Sequence, residues 1–320
     1  MPTALVTGVF GQDGTLLARS LRLKGWEVHG TARGGESGPI AEDIRVHDAD
    51  LTDSSTFTTV IDQVAPDLVV NLAGISSVAE SWQQPVLTSE VSGRVVADLL
   101  EACRSLELRV GRQVRFVQAS SSEIFGASQI SPQNENTPIA PVSPYGAAKA
   151  YAHFLCRVAR SRGQFAANAI LYNHESPQRP PTFVTRKITR SVAKIALGKA
   201  ETLTLGNLDA ERDWSWAGDV VEAIVAIGTA DVPDDFIVAS GISHSVREFV
   251  MAAFEAAGID DGDRRIRQDA QFMRPSEAPA MRGDASKIES ELGWAPRVSF
   301  EEMVTRMVEH DIAELSHNQQ

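Results

Sequence analysis

A chain of 320 residues, 43% hydrophobic and 22% charged, has the composition of a soluble globular protein, long enough for one extended α/β domain or two smaller ones. A formal net charge of -12 excludes general affinity for nucleic acid or anionic membrane surfaces, so an anionic substrate would need basic residues gathered locally. No apolar run approaches a membrane span, no signal-like leader precedes the first strand, and Cys103 and Cys156 read as buried thiols, so a cytoplasmic enzyme is expected.

Short apolar runs alternating with helical patterns over the first 170 or so residues predict a doubly wound parallel sheet of the Rossmann type. Residues 4–8 read as a strand, and 14–24 as a helix with Leu16, Leu17, Leu21 and Leu23 inward. Between them Gly8, Gly11 and Gly14 form G-x-x-G-x-x-G, with Gln12 and Asp13 in the same loop. Gly8 ends the strand, Gly11 clears the approach of a pyrophosphate, Gly14 allows close helix–sheet packing, and the helix N-terminus offers N–H donors. Strand 27–32 ends at Arg33 with no acidic residue for a ribose 2′-hydroxyl. That favours NADP over NAD, with Arg33 on the 2′-phosphate. Asp50 and Leu51 fall at the adenine edge, and Leu72 and Ala73, after the buried strand beginning at Asp67, line the cofactor's other side.

A long helix over 85–106 and a strand over 114–119 follow. Ser121 and Glu123 then stand at a strand's C-terminal end, where open α/β sheets place their sites. The segment 127–143, rich in Pro, Asn and Ser, reads as a loop over that site. Tyr145 and Lys149 share one face of helix 145–162, and the ammonium would stabilise a phenolate, making Tyr145 a base below its ordinary pKa. Ser121 can share a substrate hydroxyl proton with Tyr145. Glu123 is either a turn carboxylate or a base for an acidified C–H proton.

Past residue 173 the pattern changes to short helices and isolated strands, such as 236–239. The chain divides into a dinucleotide-binding unit, 1–173, and a substrate lobe, 174–320; the two interleave, with the site in the cleft between them. In helix 184–197, Val184, Ile188, Ser191 and Ile195 form one face, leaving Arg186, Arg190 and Lys194 in an exposed stripe beside Lys187. No histidine pair has metal-ligand spacing, so no metal is expected.

The run Tyr145-Gly146-Ala147-Ala148-Lys149-Ala150-Tyr151-Ala152 resembles the extended short-chain dehydrogenase/reductase family. The runs from Asn173 to Pro177, Phe183 to Arg190 and Leu205 to Trp214 resemble its GDP-mannose 4,6-dehydratase branch, as do Val9 to Gly14, His244 to Phe249 and Arg274 to Glu277. The resemblance implies a substrate, GDP-mannose or a similar nucleotide sugar, and a lyase reaction. Tyr145, poised by Lys149 and assisted by Ser121, takes the 4-hydroxyl proton as hydride passes to NADP. Glu123 then removes the carbon-5 proton as water leaves carbon 6, where hydride returns. The resemblance also makes Val184, Lys187, Arg212, Arg274 and Glu277 contacts of the nucleotide diphosphate and its ribose. It sets Asn173 on the sugar-phosphate side and His174 on the nicotinamide side, although a structural imidazole competes for His174.

The match departs from the family in places. Serine stands at 121 where threonine is usual, Gln178 replaces an arginine, and Ile75-Ser76-Ser77 replaces a Gln-Ser-His run. The segment after Arg33, which in the family reaches into a neighbouring subunit, is short, so a homodimer is expected before a tetramer. A related reductase or epimerase would not need the Glu123 base, and a non-catalytic NADP sensor would not need the Ser121, Glu123, Tyr145 and Lys149 set.

Overall fold

The computed structural model describes residues 1–38, 40, 43–272 and 281–317. Its strands are β1 (Thr3–Thr7), β2 (Glu27–Ala32), β3 (Arg45–Asp48), β4 (Leu68–Asn71), β5 (Arg115–Ser121), β6 (Ala166–Leu171), β7 (Asn173–Glu175), β8 (Leu203–Leu205), β9 (Glu211–Trp216), β10 (Asp235–Val238), β11 (Ser243–Ser245) and β12 (Ile266–Gln268). The helices are α1 (Gln12–Leu23), α2 (Ser54–Val64), α3 (Val78–Gln83), α4 (Pro85–Ser89), α5 (Val95–Val110), α6 (Pro144–Ser161), α7 (Val184–Ala196), α8 (Ala217–Thr229), α9 (Val246–Ala256), α10 (Ser286–Leu292) and α11 (Phe300–His317).

Seven strands form one sheet, in the order β3-β2-β1-β4-β5-β6-β10, and every pairing in it is parallel. Consecutive strand residues point to opposite faces. Val6, Val70, Val117 and Ala169 therefore pack with Leu17 and Leu21 of α1 and Ile224 of α8. Leu5, Val69, Phe116 and Ala166 pack with Phe57 of α2, Leu99 of α5 and Cys156 of α6. Covered on both faces, these strands are nearly continuous in apolar residues, as parallel strands require. The order reverses between β1 and β4, which opens a crevice at their C-terminal ends.

The smaller layer comprises a three-stranded sheet, β11-β9-β7, and the pair β12-β8. Helices α7, α9 and α11 enclose its core around Ile188, Trp214, Phe249 and Met307. Strand β10 and helix α8 come from beyond residue 173 yet belong to the large sheet, so the strand expected to stand alone at 236–239 is a sheet edge.

Three local expectations are corrected, and one strand is unexpected. Leu23 is 81% exposed: it lies two residues past inward Leu21, about 200° around the helix. The helix expected over 85–106 is broken by a π-helical turn at Glu90–Arg94, where Gly93 lies against Ala148 and Tyr151 of α6. Strand β3 escapes a reading of the sequence because its residues are mostly exposed and carry no apolar alternation. None of residues 127–143 lines the main cleft. That segment instead packs beside β10, where Glu135 accepts the Ile237 N–H at 2.9 Å, and Gln133 exchanges backbone bonds with Arg282 and Asp284. It covers a sheet edge rather than a site.

Candidate active site

The glycine loop turns on Gly8, whose φ of +67° closes the strand-to-helix corner. A Cβ on Gly14 would lie 2.3 Å from the Gly8 carbonyl oxygen, and one on Gly8 would lie 3.1 Å from the Ala73 Cα. Gly11 is the N-cap of α1 and offers no side-chain cap, so the first turn keeps free N–H donors toward the crevice. A loop so closely packed, opening on an uncapped helix, fits a dinucleotide pyrophosphate. Arg33 follows β2 and Asp50 and Leu51 follow β3, all at the outer end of that crevice. Asp50 accepts from the Thr52 N–H and hydroxyl, and these bonds, with the charge of Arg33, hold its carboxyl below its ordinary value.

A cleft of about 530 Å³ lies between the large sheet and the smaller layer. It brings together Asp13, Leu72, Ser121, Glu123, Tyr145, Lys149, Asn173, His174, Val184, Lys187 and Arg212, eleven of the residues singled out from sequence. Gly8, Gly11, Gln12, Gly14, Arg33, Asp50, Leu51 and Ala73 lie outside its lining, along the crevice leading to it. Arg274 and Glu277 lie outside the described residues.

Strand β5 delivers Ser121, whose Oγ accepts the Glu123 N–H at 3.3 Å and hydrogen-bonds Tyr145. Helix α6 starts on the Ser143 cap with Pro144 in its first turn, which sets Tyr145 beside the end of β5. Lys149, one turn on, donates to the Ala119 carbonyl at 2.8 Å. Its Nζ is 5.8 Å from the Tyr145 ring centre. Burial lowers the Lys149 pKa to about 8, against a weaker pull from Asp13. The Tyr145 phenol is pushed up to about 12, first by burial, with Glu123 adding to it and the Ser121 bond and Arg179 opposing. This corrects the expectation of a lowered phenol: Lys149 is engaged by a carbonyl, and desolvation dominates.

His174 and Asp13 face each other, with Nε2 2.8 Å from Oδ2, while His174 Nδ1 meets the Tyr172 carbonyl at 2.7 Å. Burial opposes both charges, yet each holds the other's ionised form: the imidazole is raised and the carboxyl lowered. Gln12 closes the network by donating to Asp13 and to the His174 carbonyl and by accepting from Ser176. Helix α1 is thus tied to the strand carrying Asn173.

The expected basic stripe on α7 is also corrected. Arg186 is buried, paired with Asp311 and 3.3 Å from Glu314, and Arg190 reaches Glu314 at 3.0 Å. Lys187, on the next face, lines the cleft. Arg179 is a site residue that sequence reasoning does not single out. It lines the cleft 3.2 Å from Glu175 and stacks 3.8 Å over Phe183, and its only sequence signal is a place two residues after Pro177. Among the described residues one cluster has metal-ligand spacing, His310, Asp311 and Glu314, but its carboxylates already serve Arg186, Thr189 and Arg190.

A family model described as GDP-mannose 4,6 dehydratase matches residues 5–307. A GDP-mannose 4,6 dehydratase of Cricetulus griseus is 41% identical over 340 residues, covering 97% of this chain and 91% of the relative. GDP-mannose 4,6 dehydratase 2 of Arabidopsis thaliana is 43% identical over 324 residues, covering 97% and 86%. Among solved structures, a UDP-glucose 4-epimerase of Thermus thermophilus in complex with NAD superposes with a TM-score of 0.83 at 27% identity, covering 97% and 98%.

Proposed function

The chain belongs to the GDP-mannose 4,6-dehydratase family, and on that premise we propose that it converts GDP-mannose to GDP-4-keto-6-deoxymannose and water. The observation that carries this reading is a carboxylate, Glu123, in the same cleft as the Ser121, Tyr145 and Lys149 hydroxyl-oxidation set. An oxidation alone has no use for a second base there.

The glycine loop and the uncapped start of α1 would hold the dinucleotide pyrophosphate, with Leu72, Ala73 and His174 beside the rest of the molecule. NADP is favoured over NAD by Arg33. When bound, the oxidised dinucleotide supplies a hydride acceptor and a positive charge, and it regains its starting state within one turnover. Tyr145, hydrogen-bonded to Ser121, would receive the 4-hydroxyl proton once the positive charges of the bound dinucleotide and of Lys149, charged below about pH 8, bring its phenol down from about 12. Oxidation at carbon 4 acidifies the carbon-5 proton, which Glu123 would take and pass to the departing 6-hydroxyl to release water; as hydride returns to carbon 6, the proton held by Tyr145 would go to carbon 5. General acid–base steps of this kind each contribute about 10²–10⁴ in rate. Lys187 and Arg212 gather positive charge for the diphosphate on a chain whose overall field is negative. Asn173 faces the sugar-phosphate, Val184 packs on the nucleotide, and Arg274 and Glu277 are assigned to it from the resemblance.

Two free, buried cysteines suit a reducing cytoplasm. Among the described residues, no helix is long and apolar enough to cross a membrane. Exposed Tyr151, Phe154 and Val158 on one face of α6 support a homodimer.

Product mass analysis tests the activity. GDP-mannose should lose one water with no net NADPH, and Glu123→Gln should lower turnover by about 10³ or more. Unchanged sugar under saturating dinucleotide would overturn the proposal, and stoichiometric NADPH consumption would point to a reductase.

A further inference from the structure

Arg33, the residue assigned to the 2′-phosphate, already has a partner within the chain. Its Nε donates to Glu36 Oε1 at 2.8 Å, and Nη2 lies 2.8 Å from the same oxygen. The Arg33 N–H donates to the other Glu36 oxygen at 3.2 Å, and the Glu36 N–H returns a bond to the Arg33 carbonyl at 2.9 Å. The turn closes on itself through Gly34 and Gly35, the latter at φ +86°. Two more carboxylates stand near. An Asp48 oxygen lies 3.2 Å from where a Cβ on Gly34 would be, and Asp50 feels the charge of Arg33.

We propose that Glu36 is a specificity-determining residue for the dinucleotide, competing with a 2′-phosphate for Arg33 and so holding down the preference for NADP over NAD. A 2′-phosphate carries close to two negative charges at neutral pH. It gains from Arg33 only if the guanidinium turns away from Glu36, and it meets repulsion from Glu36, Asp48 and Asp50. A ribose 2′-hydroxyl is neutral, suffers no such repulsion, and can donate to a carboxylate, the usual arrangement for NAD. The Arg33–Glu36 pair is solvent-exposed on both sides, so exchanging partners costs little and the competition stays reversible. The turn thus offers one group suited to each dinucleotide.

This inference rests on the dinucleotide reading above, and equilibrium binding separates the two. Dissociation constants for NADP and NAD are measured calorimetrically on the full chain freed of dinucleotide, at low and high salt. Glu36→Gln should tighten NADP by about five- to tenfold at low ionic strength while leaving NAD within about twofold. The gain should shrink at high salt, where exposed charges are screened. Arg33→Met should weaken NADP, and adding Glu36→Gln to it should restore at most about twofold, from lost repulsion alone, well short of the gain beside an intact Arg33. An unchanged NADP-to-NAD ratio in Glu36→Gln would overturn the Glu36 proposal alone. Wild-type protein that binds neither dinucleotide would overturn the dinucleotide reading itself.

Discussion

Lys149 is buried with its ammonium on the Ala119 carbonyl, and burial has brought its pKa to about 8, from a value near 10.5 in water. Two consequences follow for one side chain. The positive charge that Tyr145 would draw on as the proposed base is present below pH 8 and lost above it, so turnover should fall along an alkaline limb centred near 8. Lys149→Arg keeps its charge throughout and should remove that limb, at a lower plateau because the planar guanidinium cannot occupy the same point. The second consequence is for stability. A base whose pKa is depressed by folding penalises the folded state wherever the unfolded chain binds the proton, below about pH 10, and the penalty is full below about pH 8. Lys149→Met should therefore be inactive and yet gain roughly 1–3 kcal/mol at pH 7 in urea unfolding, a gain that shrinks from pH 8 to 10. A variant no more stable than wild type at pH 7 would contradict the desolvation argument. The same side chain is thus costly to bury and needed for its charge, as stability–activity trade-offs at active sites require.

At the scale of elements, α7 and α11 are joined by buried charge. Asp311 is fully buried, and it takes Arg186 of α7 together with the Thr189 hydroxyl at 2.7 Å. Removing one member of such a pair strands the other, so Arg186→Met should destabilise by about 3–5 kcal/mol. Arg186→Met combined with Asp311→Leu should recover much of that loss. Because Lys187 rides on the same helix, the single variant should also raise KM for the nucleotide sugar. This helix shows where sequence reading stops. Hydrophobic spacing places α7 correctly, but it counts Arg186 among solvated side chains, since nothing in the local sequence reveals a carboxylate 125 residues away. The π-helical turn is hidden for the same reason, because Gly93 fits against α6 only in three dimensions. The large sheet, by contrast, is legible as far as β6, exposed β3 excepted, because each βαβ unit is local and its buried strands are continuous in apolar residues. The glycine loop and the Tyr145–Lys149 spacing are legible because local backbone geometry fixes both. The raised Tyr145 phenol is not, since burial and neighbours set it rather than spacing.

For the whole molecule, the exposed face of α6 bears on assembly. Tyr151, Phe154 and Val158 recur on one side of the helix at 51%, 47% and 56% exposure. Helices α3 and α4 pack on α6 and expose Trp82 and Val86. Large apolar side chains grouped on neighbouring helices are unusual on a monomer's surface, whereas single ones are common. A two-fold axis would set this face against its own copy, covering both sets at once. A net charge of -12 on each copy opposes close association of many copies, which favours a dimer over a larger assembly. Phe154→Glu places two like charges near that axis and should convert the proposed dimer to monomer in sedimentation analysis. The proposed catalytic groups of α6, Tyr145 and Lys149, are buried on its opposite side. Lost rigidity of that helix should therefore lower Tm and turnover together. A wild-type chain that sediments as a monomer at micromolar concentration would remove the dimer, while leaving the chemistry of the cleft as argued.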